Sequence, residues 1–432
     1  MPQPNIILFI SHDTGRHVSP LGIDTVHTPN CERLAAEGVT LANHFCVTPL
    51  CSPSRAAITT GRYPHQNGVM GLTSDHAGAF DLNLDERHIS QILADAGYEA
   101  VLCGFEHECR DCTRLGFERT LAGTGTWFNG GGDLRDQAGE LDAWLGARND
   151  DRPFYVQIGC HETHQEWDAF DVEPDRSKGV WMPPYLRDLP EVREEMAALQ
   201  GSVRRLDEGL GALLALLDRR GLADNTLLVF TTDHGIDLPR AKGTFYDAGL
   251  GTFGFVRWPA GALAVGSRVD SMTSGVDVLP TLLAAIGVAE PDNLAGASFL
   301  PALRGEPYEP RTELFAEKTY HDTYDPTRMI RTDRWAYHRH FEVNIFCDLR
   351  LATMTRRHYW ADNWFRGRHE ELYDLAADPH SMNNLTDSPE HQAIKEELRG
   401  RLLAWMRATD DPLLKGPVQS PLYQRRMAEF TA

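Results

Sequence analysis

Short apolar runs of strand length alternate with amphipathic segments of helical length over about the first three hundred residues. This alternation predicts an α/β fold, in which helices cover both faces of a mostly parallel sheet. The candidate strands are Asn5 to Ile10, Glu99 to Cys103, Phe154 to Ile158 and Thr226 to Thr231.

A long helix is predicted between the third and fourth candidate strands. Apolar residues recur at three- and four-residue steps from Val192 to Leu217, which gives the segment one apolar face. Gly221 follows, and glycine commonly takes the left-handed conformation that ends a helix. The helix is therefore expected to end shortly before Gly221.

Unusual polar residues follow each of the four candidate strands. In open parallel sheets, ligands bind beyond the carboxyl ends of the strands, where loops gather side chains from distant parts of the chain. We therefore expect these four polar segments to form one site: Ser11-His12-Asp13, Gly104-Phe105-Glu106-His107, Cys160-His161-Glu162-Thr163-His164 and Thr232-Asp233-His234-Gly235.

Composition narrows the classes of partner. The 432 residues are 42% hydrophobic and 24% charged, which is typical of a globular protein, and the formal net charge is -20. Such a charge disfavours binding to nucleic acid or to anionic membranes, because affinity for phosphates rests on clustered lysine and arginine. An anionic substrate would need local positive groups to overcome this field.

Neither a membrane helix nor a leader peptide is apparent in the sequence. We expect a cytoplasmic protein, or a periplasmic one if a leader has been removed. The eight cysteines are too sparse for a disulfide scaffold. Cys109 and Cys112 have CxxC spacing but no second pair, so packing or loop cysteines are favoured over a metal or redox site.

One stretch carries a specific chemical motif. Leu50-Cys51-Ser52-Pro53-Ser54-Arg55 continues through Thr60-Gly61-Arg62 to His65-Gln66-Asn67-Gly68, and this pattern resembles the signature of the sulfatase family. The resemblance implies that Cys51 is oxidised to formylglycine by a transient partner, a formylglycine-generating enzyme. It also implies that Arg55 holds the alkoxide formed on that residue and the substrate oxyanion. A buried cysteine at an ordinary helix start is the alternative interpretation.

The same resemblance implies one divalent metal ion. Asp13, Asp233 and His234 match the family's metal-ligand positions, but His12 stands where the family usually has a first aspartate. If His12 is also a ligand, two imidazoles and two carboxylates favour manganese, zinc or iron at least as much as calcium or magnesium. A histidine that only hydrogen-bonds to a ligand is the alternative for His12.

Three further elements resemble the family's anion-binding and proton-transfer groups. His161 and His164 lie in a segment similar to the HxPH element, Lys242 matches a lysine downstream of the Asp-His-Gly motif, and His107 matches the histidine of a GKxH element. The resemblance implies that His164 and Lys242 serve the transferring group and the departing oxygen, and that His107 removes a proton to expel sulfate. Phe105 replaces the lysine of the GKxH element.

The resemblance extends over nearly the whole chain. It implies an alkaline-phosphatase-like catalytic domain over residues 1–305 and a smaller C-terminal α+β domain over residues 306–432, with a short antiparallel sheet. Glu371-Leu372-Tyr373-Asp374-Leu375 marks the expected last strand before a final helix. Within the family, the motif region looks closest to the sulfamidase-like (N-sulfoglucosamine sulfohydrolase) bacterial enzymes.

The implied activity is hydrolysis of a sulfuric ester or sulfamate on a small-molecule or oligosaccharide substrate. His161, His321 and Arg328 are candidates for substrate contact, although solvated surface residues are an alternative for the last two. A phosphonate monoester hydrolase or phosphodiesterase would use the same nucleophile and metal, and Phe105 keeps that alternative open. A non-catalytic anion-binding relative is a third class, disfavoured because all the reactive residue types are present together.

Overall fold

A mostly parallel sheet runs through the larger part of the molecule. The computed structural model describes residues 3–75, 77–121, 132–168, 171–321, 323–342, 355 and 369–432. The strands in those residues are β1 (Asn5–Ser11), β2 (Val39–Phe45), β3 (Glu99–Gly104), β4 (Arg119–Leu121), β5 (Phe154–Gly159), β6 (Thr226–Thr232), β7 (Gly251–Arg257), β8 (Arg268–Val269), β9 (Thr273–Ser274), β10 (Leu314–Tyr320), β11 (Tyr324–Arg331), β12 (Trp335–His340) and β13 (Glu370–Asp374).

Helices flank the main sheet, and the last two helices follow a smaller sheet formed by β10 to β13. Within the same described residues, they are α1 (Pro29–Glu37), α2 (Cys51–Thr60), α3 (Pro64–Asn67), α4 (Ile89–Asp95), α5 (Leu134–Ala147), α6 (Pro190–Arg219), α7 (Asp247–Leu250), α8 (Val278–Ile286), α9 (Leu300–Leu303), α10 (Gln392–Ala408) and α11 (Pro421–Thr431). None of the helices in the described part of the chain is long and apolar enough to cross a bilayer.

The strand order places the predicted strands side by side. The main sheet runs β4-β3-β5-β1-β6-β7-β2-β8, with β9 paired to β2, and β7 is antiparallel to its neighbours. The four predicted strands are β3, β5, β1 and β6, and they are consecutive and parallel. Ile10 lies level with both Gly159 and Thr231, so the carboxyl ends of the central strands meet at one edge.

Both faces of the main sheet are buried, as expected for strands that are apolar along their whole length. Along β1, Ile7 and Phe9 point into the core beneath α5 and α6, whereas Ile6, Leu8 and Ile10 point into the core beneath α4 and α8. This two-residue alternation explains why β1 reads as one continuous apolar run. The α/β prediction is confirmed.

The long predicted helix is α6, which extends two residues beyond the predicted segment at each end. Its apolar face packs on α5 and on the main sheet through residues such as Met196, Val203 and Leu210. Gly221 has a φ of 66°, the left-handed conformation predicted for the residue that ends the helix.

A second sheet forms in the C-terminal part of the chain. Strands β10 to β13 make an antiparallel sheet in sequence order, and the predicted last strand is β13. Phe315 of β10 stacks on Trp405 of α10 with ring centroids 4.9 Å apart, and both belong to an apolar cluster with Ala57 and Tyr63 beside α2. The predicted antiparallel sheet is confirmed, while the domain boundary at residues 305 and 306 stays a prediction.

A buried ion-pair network holds the second sheet to the segment after α10. The guanidinium of Arg328 donates to the two carboxylate oxygens of Asp411 at 2.5 and 3.0 Å and lies 3.3 Å from a carboxylate oxygen of Glu317. Arg328 is also wholly buried. The prediction that Arg328 contacts substrate is therefore wrong, because both sides of its guanidinium are occupied inside the protein.

Replacing Arg328 with methionine should lower the free energy of unfolding by about 3–5 kcal/mol, because Asp411 would remain buried without the guanidinium that pairs with both of its oxygens. Urea denaturation of the parent and the R328M variant measures this difference. Arg334 pairs with Asp374 at the surface, and R334M should change stability far less. Equal losses for the two variants would contradict the structural role of Arg328.

Candidate active site

The candidate site lies at the edge where the central strands end. Cys51 is the first residue of α2, and the extended residue Leu50 precedes it. The hydroxyl of Ser54, on the first turn of α2, donates to the carbonyl oxygen of Asp233 at 2.5 Å. The amide of Asp13 donates to the Asp233 carboxylate at 2.8 Å. These contacts fix the start of α2 against the ends of β1 and β6.

Cys51 faces the predicted metal ligands. Its Sγ lies 3.3 Å from Nε2 of His234, and its side chain is buried. Ligand atoms of His12, Asp13, Cys51 and Asp233 all lie within 4.8 Å of one another. Burial raises the pKa of the Cys51 thiol above its ordinary value, so an unmodified thiol would be protonated and poorly nucleophilic. The structure thus brings residues far apart in the sequence into one cluster.

The donor set fits a divalent cation. Asp13 and Asp233 are wholly buried, and Nδ1 of His12 lies 2.8 Å from Oδ1 of Asp13 and 3.4 Å from Oδ2 of Asp233. Nε2 of His234 lies 3.1 Å from Oδ1 of Asp13. Two buried carboxylates would repel each other strongly without positive charge, and the imidazoles add nitrogen donors at the same point.

Two cationic side chains also face the carboxylates. Arg55 donates to Oδ2 of Asp233 at 3.2 Å and to the carbonyl oxygens of Ile10 and Ser11 at 3.3 and 3.0 Å. Nζ of Lys242 donates to Oδ2 of Asp13 at 2.6 Å.

The paired charges shift the pKa values of both Lys242 and Asp13. Burial alone would lower the pKa of Lys242, but Asp13 and Asp237 hold it above the ordinary value. Burial would raise the pKa of Asp13, yet Lys242 and the nearby histidines hold it well below. The site therefore carries fixed positive charge, although the whole chain is acidic.

Two histidines, His107 and His164, border the cluster. A ring nitrogen of His107 lies within 4.8 Å of Sγ of Cys51, and Nε2 of His164 lies 3.8 Å from Oδ2 of Asp13. Burial lowers the pKa of His107 to about 3, with added repulsion from Arg55 and Lys242. Burial and Lys242 likewise lower the pKa of His164 to about 3. Both rings are therefore neutral near pH 7.

The candidate substrate residues lie at different depths. His161 is half-buried, and its ring centroid is 6.0 Å from that of His164, so it borders the site. His321 is also half-buried, and its charge adds to the lowering of the pKa of His107. Arg328 is not brought to the site.

Phe105, which replaces the lysine of the GKxH element, packs against the cluster. The guanidinium carbon of Arg55 is 5.0 Å from the centre of the Phe105 ring, and the His12 ring stacks on the same residue at 5.5 Å. Phe105 is buried. An aromatic face therefore supports Arg55 and His12 at this position, which carries no charge of its own.

Two residues that the sequence interpretation did not single out also shape the site. A carboxylate oxygen of Asp237 is 3.7 Å from Nζ of Lys242, and the hydroxyl of Thr163 donates to the carbonyl oxygens of His12 and Asp13 at 3.0 and 3.2 Å. Asp237 stands four residues after Asp233 in the same loop, and this closeness in sequence could have predicted its place in the site. Thr163 belongs to a polar segment expected at the site, but its particular role was not predicted, because its contacts reach the end of a distant strand.

The sulfatase family model matches residues 4–288, which is more than half of the chain. The chain belongs to the sulfatase family. A second model, described as the C-terminal region of N-sulphoglucosamine sulphohydrolase, matches residues 241–408 of this sulfatase. The reaction of this protein is therefore the hydrolysis of a sulfuric ester or sulfamate. Members of the family generally use formylglycine and a divalent metal.

Curated relatives cover nearly the whole of this sulfatase. An ulvan-active sulfatase of Formosa agariphila is 29% identical over 97% of this chain and 83% of its own length. The N-sulphoglucosamine sulphohydrolase of Homo sapiens is 26% identical over 96% of this chain and 92% of its own length.

Solved structures share the fold. A structure in complex with D-glucosamine-2-N,6-O-disulfate has a TM-score of 0.76 at 21% identity, covering 96% of this chain and 99% of that one. The phosphonate monoester hydrolase of Agrobacterium radiobacter has a TM-score of 0.72 at 20% identity, covering 94% of this chain and 96% of that one. The predicted alkaline-phosphatase-like architecture is confirmed by such neighbours.

Replacing Arg55 with lysine should lower the free energy of unfolding by about 2–4 kcal/mol, because one ammonium group cannot reach Asp233 and both β1 carbonyls together. Denaturant titration measures this loss. Arg62 donates through one nitrogen to Glu86 at 3.0 Å, a contact that lysine can keep, so R62K is a matched control with a smaller effect. A stable R55K variant would contradict the anchoring role.

Proposed function

We propose that this sulfatase removes sulfate from a sulfated saccharide, with Cys51 converted to formylglycine as the source of the nucleophile. The observation that carries the proposal is the position of Cys51: its sulfur lies 3.3 Å from His234, inside the cluster of His12, Asp13 and Asp233. A saccharide is favoured because the ulvan-active and N-sulphoglucosamine enzymes are both relatives over most of the chain.

The chain's own residues supply the remaining chemistry. A hydrated formylglycine at position 51 supplies two hydroxyl groups on one carbon, and a divalent cation supplies charge neutralisation and a lower hydroxyl pKa. Arg55 fixes the Asp233 carboxylate, which lies in the same cluster as Cys51. Lys242 and His164 converge on the same oxygen of Asp13, which suits them to bind the sulfate oxygens and to assist the departing atom. His107, on the Cys51 side, is suited to accept the proton that accompanies sulfate release.

Rates on paired substrates test this function. We expect the modified enzyme to hydrolyse members of a panel of sulfated mono- and disaccharides, including N-sulfated and O-sulfated glucosamines, far faster than a matched phosphonate monoester. A reversed preference would favour the phosphonate monoester hydrolase alternative, which the fold neighbour and the uncharged Phe105 support. Absence of both activities in a protein that carries the aldehyde would favour an anion-binding relative.

Replacing Cys51 with serine should reduce multiple turnover by at least about a thousandfold, because a serine ester has no second hydroxyl with which to expel sulfate. Steady-state kinetics measures the loss, and mass spectrometry of the Cys51 peptide measures aldehyde formation with and without a co-expressed formylglycine-generating enzyme. Cys112 is only partly buried, so C112S should retain the parent's activity. Turnover by C51S comparable to the parent would contradict the proposed nucleophile.

We propose that the ion at this site is manganese, zinc or iron rather than calcium or magnesium, because the rings of His12 and His234 both face the carboxylates. Metal analysis of protein purified without added metal should find such an ion. One equivalent should be lost in the D13N variant and kept in D237N, because Asp237 pairs with Lys242 and does not belong to the group of donors formed by His12, Asp13, Cys51 and Asp233. Loss of an equivalent of calcium from D13N would contradict this choice.

A further inference from the structure

A second cluster of potential metal ligands lies in the C-terminal sheet. His338 and His340 are two residues apart on β12, so their side chains share one face of the sheet. Glu371 of β13 lies directly opposite His338 and therefore shares that face. The three residues have exposed fractions of 1%, 8% and 9%, so the cluster is almost closed to solvent.

The separations within this cluster are longer than hydrogen bonds. Nδ1 of His338 is 3.4 Å from Oε2 of Glu371, and Nε2 of His340 is 3.6 Å from Oε1 of the same residue. Direct N–H···O bonds cluster near about 2.9 Å. Two ligands that each lie about 2.0–2.1 Å from a tetrahedral zinc ion are about 3.3 Å apart. The observed spacing is thus close to that of donors bridged by one ion.

The orientation of His340 is set from outside the cluster. Nδ1 of His340 lies 3.1 Å from the hydroxyl of Thr327 on the neighbouring strand β11. Its other ring nitrogen, Nε2, is buried and has no hydrogen-bond partner among the residues that the structure describes. A ring fixed through one nitrogen and unsatisfied at the other is the usual arrangement of a metal-binding histidine.

Glu371 is oriented in the same way. The hydroxyls of Tyr246 and Tyr373 donate to its Oε2 at 3.1 and 2.9 Å. Two fixed donors therefore hold the Glu371 carboxylate in place opposite His338.

We propose that His338, His340 and Glu371 bind a divalent transition-metal ion of the zinc type, at a site separate from the catalytic cluster. Two imidazoles and a single carboxylate suit zinc or cobalt and lack the oxygen donors that calcium and magnesium require. The ion ties β12 to β13 and, through the hydrogen bond of Tyr246 to Glu371, holds the segment that follows Lys242 against the second sheet. The proposal does not depend on the substrate or on modification of Cys51.

Cobalt binding to the 432-residue chain tests the second site. In the D13N variant, which lacks one catalytic carboxylate and keeps the contacts of Asp233 with α2 and β6, chelator-treated protein should bind one equivalent of Co²⁺ and show the visible absorption of a tetrahedral ion. Adding H340Q or E371Q should weaken Co²⁺ binding by about a hundredfold or more, and adding T327V by about tenfold. His27 is exposed, so H27Q in the same background is the matched control and should bind as before.

Thermal melting supplies a second measurement. Zn²⁺ should raise the Tm of the D13N variant and of its H27Q derivative, and should leave the Tm of the H340Q derivative unchanged. E371Q nearly preserves the shape of the side chain, so it decides the result if H340Q does not fold. Failure of the D13N variant to bind Co²⁺, or unchanged affinity after both H340Q and E371Q, would overturn the proposal.

Discussion

The carboxylate of Asp233 joins the three segments on which the active site depends. Oδ1 accepts the amides of Asp13 and His234, each at 2.8 Å, and Oδ2 accepts Arg55 at 3.2 Å. The carbonyl oxygen of the same residue accepts the hydroxyl of Ser54. One residue therefore aligns the end of β1, the end of β6 and the start of α2. Because buried charges are costly unless paired, these bonds leave little freedom for the Cys51 side chain to occupy another position.

The sequence was most informative where burial is complete. The strands β1, β3, β5 and β6 are buried on both faces, so each appeared as a mostly apolar run, and the polar residues that follow them were expected together at one edge. The antiparallel direction of β7 was not predicted, since local pattern does not encode strand direction. Lys242 and Cys51 were assigned from motifs, because nothing in periodicity brings a helix start and a distant loop together.

Arg328 shows why the same reasoning failed in the second sheet. A charged residue among aromatic and polar neighbours suggested a surface loop, but β11 is a central strand and Arg328 points inward to Asp411, eighty-three positions away in the chain. A partner at that distance leaves no local sequence signal. Asp237 is the opposite case, since its place four residues after Asp233 could have been used.

The shared apolar cluster around Phe315 and Trp405 has a consequence for how relatives diverge. Ala57 of α2 and Tyr63 pack into that cluster, and Lys318 of β10 donates to the carbonyl oxygen of Gly243, the neighbour of Lys242. The second sheet is thus part of the scaffold of the reactive residues rather than an independent module. Exchange of this sheet between family members would require matching changes on α2. New substrate preferences should therefore arise more readily in the loops around the catalytic cluster.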